Sequence, residues 1–304
     1  MNPLEPGPGL LHIREPESLP HAGLDWRARL ELLREWIGAR TRVIVAYSGG
    51  VDSSLVLRVA HEQLGDRALG VIGRSDSYAI HELELALAQA QEMGARIEVV
   101  PTGELADPRF AANGTDRCYR CKSELYRRLD EVAMREGGAA VLDGTIADDL
   151  LDFRPGRRAA QERNVLSPLA ELGFRKADVR AAAEHLGLTS SAKPASPCLA
   201  SRIPYGTPVT REALASIEAA ERGLRSLGFH ELRVRHHGDV ARIELPLGEF
   251  VRLLQPGCRD SVVSVVLSSG YRFVALDLEG FRSGSLNRGL PAGAEDAPVG
   301  HPTN

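Results

Sequence analysis

Apolar positions along the chain alternate between two rhythms. Leu24–Ile37 repeats its apolar residues at helical spacing, and Arg42–Ala46 (RVIVA) is a short β-branched run. A Gly49-Gly50 pair and a helical stretch, Ser53–Leu64, follow. Ala68–Ile72 reads as strand, Ile80–Met93 as helix, Arg96–Val100 as strand, Leu125–Arg135 as helix and Ala139–Leu142 as strand. Strand and helix thus alternate through the first half of the chain, which is the pattern of an α/β, doubly wound parallel sheet. A ligand of such a sheet binds beyond the carboxyl ends of its strands.

From Arg175 the rhythm changes. A helix, Arg175–Leu186, leads into a loop, Leu188–Pro208, that holds four prolines. A long amphipathic helix, Thr210–Leu227, comes next. Strands Leu232–His236 and Val240–Leu245, helices Gly248–Leu254 and Asp260–Ser268, and strand Tyr271–Leu276 complete a second, smaller α+β domain. The expected division is a flexible arm at 1–22, a nucleotide domain at 23–202, the α+β domain at 203–287 and a flexible tail at 288–304, both ends being rich in Pro and Gly. The N-terminus has neither a basic start nor a long apolar stretch, so no secretory signal is expected, and the apolar stretch Val262–Leu267 is far too short to cross a bilayer.

Composition narrows the class. At 304 residues, 43% apolar and 26% charged, the chain is an ordinary globular protein of about two domains. A net charge of −4 argues against binding nucleic acid by bulk electrostatics. Four cysteines do not make a disulfide scaffold, so a reducing, cytoplasmic location is expected. Of 37 basic residues all but Lys122, Lys176 and Lys193 are Arg, which hints that these three positions require Lys.

The strongest local signal is Ser48-Gly49-Gly50-Val51-Asp52-Ser53-Ser54, between a strand and a helix. The glycines admit positive φ and close backbone approach, the serines supply hydroxyls, and the helix start offers unpaired N–H groups to an anion. Asp52 beside phosphates suggests an intervening Mg²⁺. The spacing is not that of a Walker A loop. The segment resembles the pyrophosphate loop of N-type ATP pyrophosphatases, which implies binding of ATP, release of pyrophosphate and an adenylated acceptor.

Cys118 and Cys121 form a C-x-x-C pair, expected in the loop before a helix, with Lys122 adjacent; Cys198 lies in the Pro-rich loop. Unrelated thiols, a zinc site, a redox pair and an iron–sulfur cluster held by three thiolates are all compatible with this spacing. Cys258 reads as a lone thiol without a role.

Six segments carry a closer resemblance: VAYSGGVDSSL at 45–55, DRCYRCKSELY at 116–126, VLDGTIADDLLDFRPG at 141–156, PCLASRIPYG at 197–206, LRSLGFHELRVRHHGDVARIELP at 224–246 and LDLEGFRSGSLN at 276–287. Together they resemble the LarE family of ATP-dependent sulfur transferases, which make the thiocarboxylates of the nickel-pincer nucleotide of lactate racemase. The resemblance implies an adenine nucleotide α-hydrolase-like sheet. It also implies a small mononucleotide substrate, pyridinium-3,5-biscarboxylic acid mononucleotide, adenylated on a carboxylate and then thiolated. In one branch a single cysteine surrenders its sulfur. In another, three cysteines hold a [4Fe–4S] cluster whose open iron carries exchangeable sulfide. Cys118, Cys121 and Cys198 together imply the second branch.

The site expected on this basis has Ser48, Gly49, Gly50, Asp52, Ser53 and Ser54 on ATP, with Asp52 and Asp149, of the Asp148-Asp149 pair, on Mg²⁺. Cys198, Lys122 and Asp52 are the expected catalytic groups, with Lys122 neutralising the α-phosphate. Arg202, Glu221, Arg233 and Arg235 are expected at the mononucleotide; the two strand arginines flank Val234 and so share a face. Sulfide or another sulfur donor and a homo-oligomer are further expectations, with no nucleic-acid or membrane partner. A 2-thiouridine-type tRNA thiolation enzyme and a zinc-stabilised nucleotide-binding regulator are the alternatives.

Overall fold

The computed structural model describes residues 23–150, 155–194 and 196–282. The expected arm at 1–22 and tail at 288–304 lie outside these, as do residues 151–154 and 283–287 of two of the motif segments.

Four strands, β1 (Val43–Ala46), β2 (Ala68–Arg74), β3 (Arg96–Pro101) and β4 (Ala140–Leu142), form a sheet of order β3-β2-β1-β4 in which every pair is parallel. Parallel neighbours need crossover helices, and these cover both faces. The main helices are α1 (Trp26–Gly38), α2 (Val51–Leu64), α3 (Ile80–Met93), α4 (Arg117–Arg135) and α5 (Lys176–His185). The period-2 alternation of β1 divides the core. Val43 and Val45 pack with Leu33 of α1, Leu55 of α2, Ala90 of α3 and Val179 of α5, whereas Ile44 packs with Leu129 of α4 on the other face. This is the doubly wound α/β arrangement the sequence predicts.

The second sheet follows α6 (Arg211–Ser226), whose N-terminus is capped by the Thr210 hydroxyl accepting from Ala213 N at 3.1 Å. Strands β5 (Arg233–His237), β6 (Val240–Glu244) and β7 (Phe273–Leu276) lie in the order β5-β6-β7, antiparallel then parallel, with α7 (Pro256–Ser268) packed against them. The α7 helix starts at Pro256 rather than the expected Asp260, because a proline is well tolerated in a first turn where its missing N–H costs nothing. The expected helix at Gly248–Leu254 is shorter, a 3₁₀ turn at Leu247–Glu249 followed by Phe250–Leu253.

A separate apolar cluster connects the two sheets. Leu199, Ala200 and Ile203 from the Pro-rich loop are buried with Leu214 and Ile217 of α6 and with Phe110, and Cys121 and Cys198 pack against this cluster. Among the described residues no helix is long and apolar enough to cross a membrane.

The structure corrects one local reading. The C-x-x-C pair is not in a loop: α4 begins at Arg117, so Cys118 and Cys121 stand in its first two turns. The early start is anchored by a buried side chain. Arg117 donates to Asn113 Oδ1 at 2.5 Å and to the Ala200 carbonyl at 2.9 Å, and Asp116 pairs with Arg120 at 2.9 Å one turn on.

Candidate active site

At the carboxyl ends of β1, β2 and β4 opens a cavity of about 910 Å³, bordered by Ala46, Gly73 and Asp143 at the strand ends. Its floor is the phosphate loop. Gly49 has φ +67°, and a Cβ built there would lie 2.6 Å from the Ala86 Cβ of α3, so only glycine satisfies both backbone and neighbour. Gly144 plays the matching part across the cavity, since a Cβ would fall 2.7 Å from Ser53 N. The loop after β4 can therefore lie directly on the start of α2. The Ser48 and Ser53 hydroxyls are 3.2 Å apart, and both residues border the cavity with Gly50 and Asp52. The first N–H groups of α2 have no partner within the helix and face the same end.

Ser54 departs from expectation. It is fully buried, its hydroxyl donates to Gln89 Oε1 at 2.8 Å and its N–H to the Gly50 carbonyl at 3.0 Å. It locks α2 to α3 and does not border the cavity.

Two of the three lysines touch this loop, and the third borders the same cavity. Lys122 borders the cavity from α4, Lys176 places its ammonium 2.7 and 2.8 Å from the two Asp52 oxygens, and Lys193 pairs with Glu82 at 2.7 Å beside the Gly49 carbonyl. The Arg-rich composition makes this convergence the clearest sign that the positions need a compact ammonium. Lys122 is held charged by its surroundings, Tyr126 first and Asp143 with it, although burial opposes this. Tyr126 itself is pushed up to about 12, mainly by burial, and stays a neutral phenol.

Asp143 went unnoticed in the sequence. It is buried at the end of β4, where it accepts hydrogen bonds from the Tyr126 hydroxyl, the Thr145 N–H and hydroxyl, and the Ser167 hydroxyl. A lone Asp in a Gly-containing turn gives no pattern signal, and its partners come from three separate segments. Asp149 borders the cavity with Asp52, and its carboxylate accepts from Ile146 N at 3.1 Å. Asp148 instead accepts from the Lys176 N–H at 2.8 Å, a joint between segments.

The three thiols reach this cavity. Cys118 and Cys121 enter from successive turns of α4 and Cys198 from the Pro-rich loop, and all three line the cavity that the phosphate loop also lines. Burial pushes the Cys121 thiol well up, with Glu104 and Cys198 adding to it, and burial likewise raises Cys198. As free thiols Cys121 and Cys198 are therefore protonated and neutral. A cationic iron centre would take the place of those protons and offset the repulsion among the thiolates and Glu104, so the donor set fits thiolate ligation. Among the described residues, no three His, Cys, Asp or Glu side chains gather around one point as a single metal ion requires. The three thiols border one shared volume. Cys258 packs in the second core, against α7's neighbours and away from the cavity.

The four residues expected at the mononucleotide form a different object. They do not border the cavity. Arg202 and Glu221 make a bidentate pair at 2.9 and 3.2 Å, and Arg235 and Glu244 another at 3.0 and 2.9 Å, all buried. Arg202 also donates to the Pro197 carbonyl at 2.6 Å, and Arg235 to the Ser201 carbonyl at 2.8 Å. Arg233 donates to the Arg282 carbonyl at 2.9 Å and lies over the Phe281 ring. Burial lowers the Arg233 pKa, and the charges of Arg235 and Arg202 lower it further. The face that Arg233 and Arg235 share is thus buried beneath the Cys198 loop.

No family model matches the chain. A protein of Synechocystis sp. of uncharacterised role is 46% identical over 86% of this chain and 98% of its own length. An uncharacterised protein of Methanocaldococcus jannaschii is 27% identical over 80% of this chain and 91% of its own. The pyridinium-3,5-bisthiocarboxylic acid mononucleotide synthase of Lactiplantibacillus plantarum is 44% identical over 81% of this chain and 89% of its own. That similarity covers most of both chains, and by it the chain belongs to the LarE family.

Proposed function

We propose that this protein is an ATP-dependent sulfur transferase acting on pyridinium-3,5-biscarboxylic acid mononucleotide. The observation that carries the reading is that three thiols and the phosphate loop line one cavity. A carboxylate is a poor acyl donor until its oxygen is made part of a good leaving group. The substrate carboxylate oxygen attacks the α-phosphorus of ATP, pyrophosphate departs, and the acyl carbon is left bonded to AMP. A sulfur nucleophile then attacks that carbon, and AMP leaves with the former carboxylate oxygen. The product is a thiocarboxylate.

In this scheme the N–H groups of the phosphate loop and the Ser48 and Ser53 hydroxyls bind the departing pyrophosphate. Lys122 faces the α-phosphate, where a fixed ammonium in a dry site stabilises the charge of the transition state. Lys176 keeps Asp52 oriented. Asp52 and Asp149 would hold Mg²⁺, which supplies further neutralisation of the phosphates. Cys118, Cys121 and Cys198 would hold a [4Fe–4S] cluster, which when bound supplies an iron free to carry exchangeable sulfide. The role of Arg202, Glu221 and Arg235 follows from their geometry: they hang the Pro197, Cys198 and Ser201 carbonyls from fixed guanidinium groups and so set the position of Cys198.

Anaerobic purification with iron and sulfide analysis, then mass measurement before and after turnover, tests the reading. Expected are iron, many turnovers per chain and an unchanged polypeptide mass, with Cys118→Ala losing iron and turnover together. An iron-free chain that turns over repeatedly, or loss of one sulfur atom's mass per turnover, overturns the cluster assignment.

A further inference from the structure

The first three turns of α4 separate two cavities. Cys118, Cys121, Lys122, Leu125 and Tyr126 border the large one, at helical spacings that put them on one face. Tyr119, Arg120, Ser123, Glu124 and Arg127, on the opposite face, border a smaller crevice of about 230 Å³ that opens elsewhere on the surface. Glu104, at the turn after β3, borders both. It is 3% exposed and lies beside the helix at Cys121, with its Oε1 3.9 Å from Cys121 Sγ and accepting from the Ser77 hydroxyl at 2.9 Å.

Among the described residues two polar atoms here are buried without a hydrogen-bond partner: Glu104 Oε2, an acceptor, and Ser123 Oγ, a donor or acceptor. Stranding a buried polar group costs about 1–3 kcal/mol, so a small hydrogen-bonding guest that reaches either atom is favoured. The four rim arginines are each paired with a carboxylate, Arg109 with Asp107, Arg120 with Asp116, Arg127 with Glu124 and Arg163 with Asp130, so the crevice mouth carries no surplus charge to exclude a small neutral guest.

From this we infer that the crevice is a second entrance, through which inorganic sulfide reaches Cys121. The inference rests on the sulfur-transfer reading and adds the route. ATP and the mononucleotide fill the large cavity during adenylation, so a nucleophile arriving by that mouth would compete with them and bring water. Hydrogen sulfide is small, donates an S–H to a carboxylate oxygen and accepts weakly from a hydroxyl, which is the pair of atoms the crevice leaves unmatched. Displacement of the Glu104 side chain joins the crevice to the thiol wall.

The test uses the full-length metal-free chain saturated with α,β-methylene-ATP, which cannot be cleaved between its α and β phosphates. Iodoacetamide modification is followed cysteine by cysteine by mass spectrometry. Cys121 is expected to react while Cys118 and Cys198 are protected, and Ser123→Phe to slow Cys121 at least tenfold. Ser123→Ala, which opens the crevice, should react at least as fast as the parent. In the iron-loaded enzyme, Ser123→Phe should raise the KM for sodium sulfide at least tenfold. Protection of Cys121 together with the other two thiols, or equal rates in parent and Ser123→Phe, overturns the passage. If labelling follows expectation but sodium sulfide supports no thiocarboxylate formation in the parent enzyme, the sulfur source proposed above is what fails, and sulfide is overturned as the occupant.

Discussion

The phosphate loop and the arginine–glutamate cluster beneath the Cys198 loop both concentrate charge, but they dispose of it differently. At the loop, backbone N–H groups, two serine hydroxyls and Lys122 border a cavity. In the cluster, Arg202 and Arg235 are each clasped by a carboxylate that is fully buried. The first region leaves its donors at an open volume; the second has them matched within its own chain. Arginine on a strand is thus no guide to anion binding until its carboxylate neighbours are located, because a fork already matched by a carboxylate has little left to offer a phosphate.

If the cluster is structural, breaking it should cost stability first. Glu221→Ala removes the acceptor of both Arg202 and Arg225 and of the Val234 N–H. It should destabilise the chain by about 3–5 kcal/mol in denaturant titration, the usual consequence of stranding a buried charge. Unfolding unchanged within 1 kcal/mol, roughly the scale of a surface substitution, would place the cluster with the binding residues instead. At the open region the order of effects reverses. Lys122→Met should lower kcat for pyrophosphate release by about 10²–10³-fold, as loss of one preorganised charge does, with only a small change in melting temperature. Gly49→Ala sharpens the contrast, since it forces a side chain into positive φ against Ala86. A loss of about 1–3 kcal/mol is expected from the backbone alone. Ala86→Gly should return only the part due to the steric contact.

The smallest effect concerns the thiols. Burial raises both Cys121 and Cys198 above an ordinary thiol, so the metal-free fold binds their protons more tightly than the unfolded chain. This contribution to stability is complete below the ordinary thiol pKa and is lost as pH rises through the folded values. Between neutral and alkaline pH the metal-free protein should therefore lose stability, and Cys198→Ala should flatten that slope. A slope unchanged by the substitution would show that Cys198 is not buried as described.

Much of this was legible in the sequence. The alternation that places Val43 and Val45 on one face and Ile44 on the other is a local, period-2 property, and so the parallel sheet could be read directly. The phosphate loop was legible because glycine and serine at those positions answer to the anion itself. The opposite holds for Lys176 on Asp52 and Asp143 under Tyr126, where the partners lie far apart in the chain and meet only after folding. The start of α4 was misread for the same reason. Its stabilising contact, Arg117 to the Ala200 carbonyl, spans 83 positions, and no local propensity reports it. Asn113, with φ +58°, has a similar long-range task, its amide donating to the Pro204 and Thr207 carbonyls at 2.8 Å.

Those long-range contacts share a target. Asn113, Arg117, Arg202 and Arg235 all donate to main-chain oxygens of the segment that carries Cys198. That segment owes its shape to a scaffold of amide and guanidinium struts rather than to whatever its thiol grips. On the cluster reading proposed above, the inorganic group could therefore be lost and rebuilt on an unchanged frame, and stripping it with a chelator should leave a folded, refillable receptacle, unlike small domains that collapse once their metal is taken away.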